Sequence, residues 1–387
     1  MADGDVQTRV PSHDVRKFIT ELVGGHIHAK RVLSISNAVV GVIHAAALSI
    51  HAIGHALAEV EDLDSKHAIK QVDRLLSNGG FDVWTLFEHW VPFVIAARDE
   101  LVVAMDWTDF DRDDQTSIVI SLITGHGRAT PLLWKTVQKS TLKGQRAKFE
   151  DELLERLREL VPLDTRVTVL ADRGFGDKDL YFNIDQLGFS HVIRFRQGIT
   201  VESSKGEVKP AADWVPTNGR PALLREARVT HARSPVAAVV CVRAAQMKEA
   251  WCLASNIDDK SASELVKLYG RRFTIEETFR DAKNLRFGLG LANARIKDTA
   301  RRDRMLMLGA FAQALLSLLG AAAEEVGLDR TMKASTTKKR THSLFRQGLH
   351  WYNSIPAMRQ ERLELLMGAF GRIVSQHAIF TKAFGSI

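Results

Sequence analysis

The sequence predicts an α/β protein whose mixed sheet is interrupted by a β insertion and flanked by helical regions at both ends. Short apolar runs at residues 101–105, 117–123 and 129–137 have the length and composition of strands. From residue 148 to 195, helical and strand patterns alternate, as in α/β folds. Residues 197–256 are strand-like and broken by Pro and Gly, whereas both ends of the chain have helical patterns.

The N-terminal region contains a segment, residues 32–58, without a charged side chain, which is long enough to span a bilayer. It also contains Asn37, three histidines and several serines and glycines. We therefore interpret it as two buried helices, broken near Gly41 or Gly54, and expect no membrane partner. Residues 305–323 are interpreted in the same way, as a core helix.

A helix capped by Ser65 and running through Leu76 is predicted next. One stripe of it is apolar, and the stripe beside it is basic, formed by Lys66, Lys70 and Arg74. Such a stripe is typical of a helix that lies against DNA. A solvated helix face explains it equally well, and is the more common case when no partner is known.

The net charge of +7 is concentrated near the C-terminus. Residues 331–387 contain nine Lys or Arg and two acids, while the first 330 residues contain 44 of each. A basic segment on a neutral body indicates a polyanionic partner such as nucleic acid, although basic tails also serve solubility.

Cys241 and Cys252 are the only cysteines, which excludes a disulfide framework and a cysteine-based zinc site. They flank a predicted hairpin turn and can be cross-strand neighbours. We interpret them as two buried free thiols.

Two predicted strands each end in an aspartate, Asp106 and Asp172. Open α/β sheets bind ligands at the carboxyl ends of their strands, and hard divalent metals prefer oxygen ligands. Each aspartate alone is better explained as the cap of a loop. The first site is also crowded by further acids, Asp109, Asp111, Asp113 and Asp114.

A third predicted element carries Tyr269, Arg272, Glu276 and Lys283. On one continuous helix, these spacings place all four side chains within roughly 60° of arc, with Glu277 pointing elsewhere. An acid beside two cations and a phenol suits a site where the acid binds metal and the cations bind phosphates. A surface salt-bridge network is the alternative.

These residues resemble the DDE transposases of the insertion sequence 4 family. The segment from Tyr269 to Lys283 matches that family's Tyr-x2-Arg-x3-Glu-x6-Lys signature, and the segments Asp106-Trp107-Thr108 and Asp172-Arg173-Gly174-Phe175 resemble those around its two aspartates. A β insertion before the glutamate is also the family's arrangement. The resemblance covers about residues 101–300.

The resemblance implies an RNase H-like catalytic domain in which Asp106, Asp172 and Glu276 hold two Mg²⁺ (or Mn²⁺) ions. It implies cut-and-paste phosphoryl transfer on double-stranded DNA, at transposon ends and at a target, by a homodimer in the cytoplasm of a bacterium or archaeon, associated with the nucleoid. Tyr269, Arg272 and Lys283 would contact phosphates. A nuclease without strand transfer and an inactive DNA-binding relative remain alternatives.

Three more residues are candidate DNA contacts. In relatives that form a DNA hairpin, a Trp placed like Trp251 stacks on an extruded base, although a core Trp is equally plausible here. Arg194 and Arg196 share one side of a strand and are candidates for contact with the DNA backbone.

The expected domains are residues 1–95 (helical, DNA-end-binding), 96–196 and 257–330 (catalytic), 197–256 (β insertion) and 331–387 (basic, helical).

Overall fold

Twelve α-helices and ten β-strands make up the part of the chain that the computed structural model describes, residues 12–286 and 288–374. The strands are β1 (Glu100–Phe110), β2 (Gln115–Ile123), β3 (Ala129–Gln138), β4 (Arg166–Ala171), β5 (Ser190–Phe195), β6 (Thr200–Glu202), β7 (Val208–Pro210), β8 (Ala222–Val229), β9 (Ser234–Val242) and β10 (Trp251–Ser255). The helices are α1 (Ser12–Val23), α2 (Ala29–Ala45), α3 (Ile50–Glu61), α4 (Ser65–Ser77), α5 (Val83–Ile95), α6 (Arg146–Leu160), α7 (Lys178–Gln186), α8 (Ala262–Gly270), α9 (Thr274–Lys283), α10 (Thr299–Glu325), α11 (Leu344–Ser354) and α12 (Gln360–Val374).

All ten strands form one mixed sheet in the order β3-β2-β1-β4-β5-β10-β9-β8-β6-β7. Strands β1, β4 and β5 are parallel neighbours, and the remaining pairs are antiparallel. The predicted β insertion therefore extends the same sheet, because its last strand, β10, pairs with β5. The predicted mixed α/β class and its flanking helices are confirmed.

The sheet separates two layers of helices. Alternate residues of β1 point to opposite faces: Leu101 and Val103 belong to the core that includes residues of α6 and α7, whereas Val102 and Ala104 pack with residues of α8 and α9. The carboxyl ends of β1 and β4 therefore open on the face that α8 and α9 cover.

The uncharged N-terminal segment forms two helices, as predicted, but the predicted position of the break was wrong. The chain turns between α2 and α3, where Ala46 adopts a left-handed conformation at φ 46°. Gly41 instead allows α2 to approach α3, because a Cβ there would lie 2.6 Å from the carbonyl oxygen of Ile53. Gly54 serves the contact of α3 with α4 in the same way, against Ile69.

Helix α10 is long and apolar enough to cross a membrane, and α2 with α3 passes the same test as a pair bent by 98°. However, 83% of the most apolar part of α10 is buried within the protein, where it packs against α2, α11, α12 and β3. The predicted core helix is thus confirmed.

Cys241 and Cys252 face each other across β9 and β10, and both thiols are free and buried. Both parts of the prediction for them are confirmed.

Asp303 of α10 connects the helical layer to the sheet. Its Oδ1 accepts hydrogen bonds from the backbone N–H (3.0 Å) and the hydroxyl (2.6 Å) of Thr136 on β3. Burial raises the pKa of Asp303 to about 8, and the two hydrogen bonds from Thr136 oppose this only in part. The folded protein therefore holds a proton that the unfolded chain releases above its ordinary carboxyl pKa.

Because the folded-state pKa is raised, the stability that Asp303 contributes is lost as the pH rises from about 4 to about 8. Asp303→Asn keeps the accepting oxygen and cannot ionise. We expect the difference in unfolding free energy, variant minus wild type, to increase by about 1.4 kcal/mol per pH unit in that window. Urea unfolding of both proteins at several pH values measures the gain, and a pH-independent difference would refute it.

Candidate active site at the carboxyl ends of β1 and β4

Asp106 and Asp172 lie where the parallel pairing of β1 with β4 ends. The prediction that the first strand ends at Asp106 was wrong, because β1 continues to Phe110 through its antiparallel pairing with β2, whereas Asp172 directly follows β4 as predicted. The β1–β4 register pairs Met105 with Ala171, so the two aspartates occupy the next pair of positions, on strands about 4.8 Å apart. Asp106 follows Val102 and Ala104 at intervals of two, and both of those residues face α8 and α9. The side chain of Asp106 therefore points towards the same helices.

Arg272 joins β1 to the third carboxylate. Its Nη1 donates to Asp106 Oδ2 at 3.0 Å, and its Nη2 donates to Glu276 Oε1 at 2.7 Å. The Arg272 side chain is only 5% exposed, whereas that of Glu276 is 51% exposed. One buried guanidinium thus brings together two of the three carboxylates that the sequence singled out.

The prediction that the signature occupies one continuous helix was wrong. Helix α8 ends at Gly270, a 3₁₀ turn spans Arg271–Phe273, and α9 begins at Thr274. Tyr269 is 1% exposed, and its ring contacts that of Trp251 at 4.9 Å between centroids. The Arg272 guanidinium lies 6.0 Å from the Tyr269 ring, so the two side chains remain neighbours despite the break.

The charges of the three carboxylates affect one another. Burial, together with the negative charges of Asp172 and Glu276, raises the pKa of Asp106 to about 6, against the opposing charge of Arg272. All four groups therefore share one electrostatic environment at this end of the sheet.

The second aspartate is fixed by the turn that follows it. Asp172 Oδ1 accepts a hydrogen bond of 2.7 Å from the backbone N–H of Gly174. A Cβ at Gly174 would lie 3.0 Å from that oxygen, so glycine permits the close approach. This turn leaves the other carboxylate oxygen, Oδ2, available.

Lys283 of α9 contacts β1 two to three residues beyond Asp106. Its Nζ donates to Thr108 Oγ1 at 3.2 Å and to the Asp109 carbonyl at 2.5 Å, and burial lowers its pKa. Because Thr108 follows Asp106 by two residues, Lys283 is on the same face of β1. Glu277, as predicted, points elsewhere, towards Arg128 and Arg280.

The other acids near β1 have structural partners. Asp109 and Asp111 both pair with Lys139, at 2.7 and 2.6 Å, and Asp113 pairs with the buried Arg302 at 2.7 Å. Asp114 accepts a hydrogen bond from the Ser140 hydroxyl. The structure thereby separates Asp106 from the acids that crowd it in the sequence.

An aromatic cluster borders the carboxylates. The Trp251 ring lies 5.7 Å from that of Phe273, tilted by 32°, and the Arg272 guanidinium lies 5.0 Å from the Phe273 ring. Phe273 is 40% exposed, which is unusual for a large apolar side chain. Phe273 was not among the residues predicted from the sequence, although its position directly after Arg272 was a usable signal.

The two candidate arginines on the β5 side differ in their contacts. Arg194 is held by Glu249 (2.9 Å) and by the carbonyl of Ala250 (3.2 Å), and Glu249 also binds Arg173 at 3.0 Å. Arg196, just after β5, is exposed. Their contact with DNA stays a prediction.

The basic stripe of α4 is exposed, and two of its members, Lys70 and Arg74 but not Lys66, line a cavity of about 520 Å³ between α4 and the start of α2. Lys70 and Arg74 meet Lys30 and Arg31 of α2 there, and no acidic residue lines the cavity within the described chain. The helix is capped by Asp64, which accepts from the N–H groups of residues 66 and 67, rather than by Ser65 as predicted. Lys30 and Arg31 were not predicted from the sequence as part of this groove.

The donor set fits a hard divalent cation, because Asp106, Asp172 and Glu276 offer only carboxylate oxygens. Among the residues that the structure describes, however, no three His, Cys, Asp or Glu side chains are arranged to hold a metal ion. The Arg272 guanidinium instead occupies one oxygen of Asp106 and one of Glu276.

Carboxylates on or next to adjacent parallel strands of a mixed sheet, joined to an acid on a covering helix, are typical of nucleic-acid enzymes with an RNase H-like fold. Residues 97–312, more than half of the chain, match the family model of the transposase DDE domain. The protein therefore belongs to the DDE transposases, enzymes that cleave DNA and generally use divalent metal ions. No curated protein matches the chain.

Proposed function

We propose that the protein is a cut-and-paste transposase of the insertion sequence 4 type, which cleaves its DNA ends and joins them to a target. The contact of Arg272 with both Asp106 and Glu276 carries this proposal, because it unites the signature segment and the β1 aspartate in one site. The proposed metal ligands are Asp106, Asp172 and Glu276, which would hold two Mg²⁺ (or Mn²⁺) ions.

When bound, the metal ions would activate the attacking oxygen and stabilise the leaving oxygen of the phosphodiester. The protein's own side chains position the DNA. Arg272 and Lys283 lie on the carboxylate face and would neutralise phosphates on either side of the scissile bond. Tyr269 is proposed to orient the segment through its buried ring, and to reach a phosphate only after a local movement.

The helical region, residues 1–95, is proposed to bind the transposon end through Lys66, Lys70 and Arg74, with Lys30 and Arg31 across the groove. Arg194 and Arg196 are proposed to follow the backbone nearer the site, and Trp251 with Phe273 to receive an unpaired base. The remaining domain boundaries stay a prediction. The basic region, residues 331–387, lies partly outside the described residues, and no role is proposed for it.

We further propose that two copies bridge two DNA ends, and that the protein acts in the cytoplasm on chromosomal DNA.

The proposed transposase activity is tested by incubating the protein and Mg²⁺ with a plasmid that carries its gene and native flanking DNA. Strand-transfer products joined to a second plasmid are expected. Cleavage without joining would favour the nuclease alternative, and binding without cleavage would favour an inactive relative.

Trp251→Ala is expected to weaken binding to a nicked duplex with an unpaired base at the nick by roughly tenfold, because one stacking contact of about 1–3 kcal/mol is lost. Binding to a fully paired duplex should change less than about twofold, and Trp251→Phe should restore most of the loss. Trp214→Ala, in the same β insertion, is the matched control. Equal losses on both duplexes would show that Trp251 is only a core residue.

A further inference from the structure

The Arg272 guanidinium provides a positive charge among the three carboxylates. It binds Asp106 Oδ2 and Glu276 Oε1 directly, and its side chain is almost fully buried. A buried carboxylate without a compensating cation is costly, so this ion pair stabilises the carboxylates where they are. The same oxygens are those that a divalent cation would need.

One further carboxylate oxygen of Asp106 and one of Asp172 also accept hydrogen bonds. The backbone N–H of Trp107 donates to Asp106 Oδ1 at 2.9 Å, and that of Gly174 donates to Asp172 Oδ1 at 2.7 Å. A metal ion arriving at the site would therefore compete with Arg272 for Asp106 Oδ2 and for Glu276. Like charges at close range would also oppose it, because the guanidinium and the ion would share the same two ligands.

We propose that Arg272 is a latch that keeps divalent metal out of the site until a DNA phosphate draws its guanidinium away from Asp106 and Glu276. This rests on the proposed function, because it requires the three carboxylates to be the metal ligands. A phosphodiester is a suitable competitor, since its two oxygens match the planar fork of a guanidinium as a carboxylate does. Metal and DNA would then bind cooperatively, each raising the affinity for the other.

The local backbone gives the latch room to move. Arg272 lies in the 3₁₀ turn Arg271–Phe273 between α8 and α9, and short 3₁₀ stretches within helical segments often mark hinges. Glu276 is half-exposed on the first turn of α9, so it can turn towards a metal once it is released. Asp106 and Asp172 need no large movement, because adjacent strands hold them.

Mn²⁺ binding, measured by electron paramagnetic resonance of the free ion, tests the latch without any catalytic readout. The proteins are the wild type, Arg272→Gln and the matched control Arg271→Gln, which removes the neighbouring charge. Without DNA, Arg272→Gln should bind Mn²⁺ roughly tenfold more tightly than the wild type and the control. With a random-sequence duplex at low salt, the wild type should gain about tenfold, and Arg272→Gln clearly less.

Thermal unfolding establishes that the variants are folded. Arg272→Lys is a second variant, which keeps the positive charge but lacks the planar guanidinium. It should bind Mn²⁺ more tightly than the wild type. Equal Mn²⁺ affinities of Arg272→Gln and Arg271→Gln would overturn the latch. If instead Asp172→Asn leaves Mn²⁺ binding unchanged in the presence of DNA, the metal-site assignment of the proposed function fails, and the latch with it.

Discussion

Replacing Glu276 with Gln is expected to lower DNA cleavage by at least about a thousandfold, while binding of duplex DNA stays within about twofold. The amide keeps an oxygen that can accept from Arg272 but loses the negative charge that a divalent metal needs. A metal ion contributes several kcal/mol to the stabilisation of the transition state, which corresponds to a rate factor of this order.

Glu277→Gln is the matched control for this prediction. The two residues are adjacent on α9, but Glu277 pairs with Arg128 and Arg280 rather than with the carboxylate site. Cleavage by Glu277→Gln should remain within about threefold of the wild type, since exposed ion pairs contribute little. Cleavage retained by Glu276→Gln would remove this residue from the metal site.

The second large effect is expected from the basic stripe of α4. Lys66→Ala combined with Lys70→Ala removes two cations, and neither forms an ion pair among the described residues. If both contact phosphates, affinity for duplex DNA at about 0.1 M salt should fall roughly fifty- to a hundredfold. The slope of log affinity against log salt should become shallower by about two.

Lys143→Ala combined with Lys148→Ala removes the same charge from another element, since Lys143 lies just before α6 and Lys148 lies in its first turn. Both of these lysines are exposed, as Lys66 and Lys70 are. An unchanged salt slope for the α4 double variant, or an equal change for the α6 double variant, would show that the basic stripe is a solvated helix face.

The neighbouring positions of Asp106 and Asp172 could be predicted because strand pattern is a local property of the sequence, although β1 continues past Asp106 to Phe110. An apolar run that ends in Asp predicts its own strand, and two such strands in one α/β arrangement are expected to be neighbours. The structure adds the parallel register that pairs Met105 with Ala171. The nearby acids could not be excluded in advance, since their partners Lys139 and Arg302 lie 25 residues or more away in the chain.

The errors came from local patterns that long-range packing overrides. Gly41 and Gly54 predicted a helix break, but they allow neighbouring helices to approach each other closely. Helical spacing predicted a single helix for the signature, whereas the 3₁₀ turn at Arg271–Phe273 directs Arg272 towards β1. The contribution of Lys30 and Arg31 to the groove depends on how α2 crosses α4, which the charge pattern of either helix alone does not reveal.

Iron-directed cleavage of the polypeptide tests most directly whether Asp106, Asp172 and Glu276 form one metal site. Fe²⁺ replaces Mg²⁺ in the DNA-bound protein, and ascorbate with peroxide then generates hydroxyl radicals that cut the backbone near the bound ion. We predict cuts close to residues 106, 172 and 276, which excess Mg²⁺ suppresses. Cuts confined to another region, or cuts near only one of the three residues, would contradict a shared site and with it the proposed chemistry.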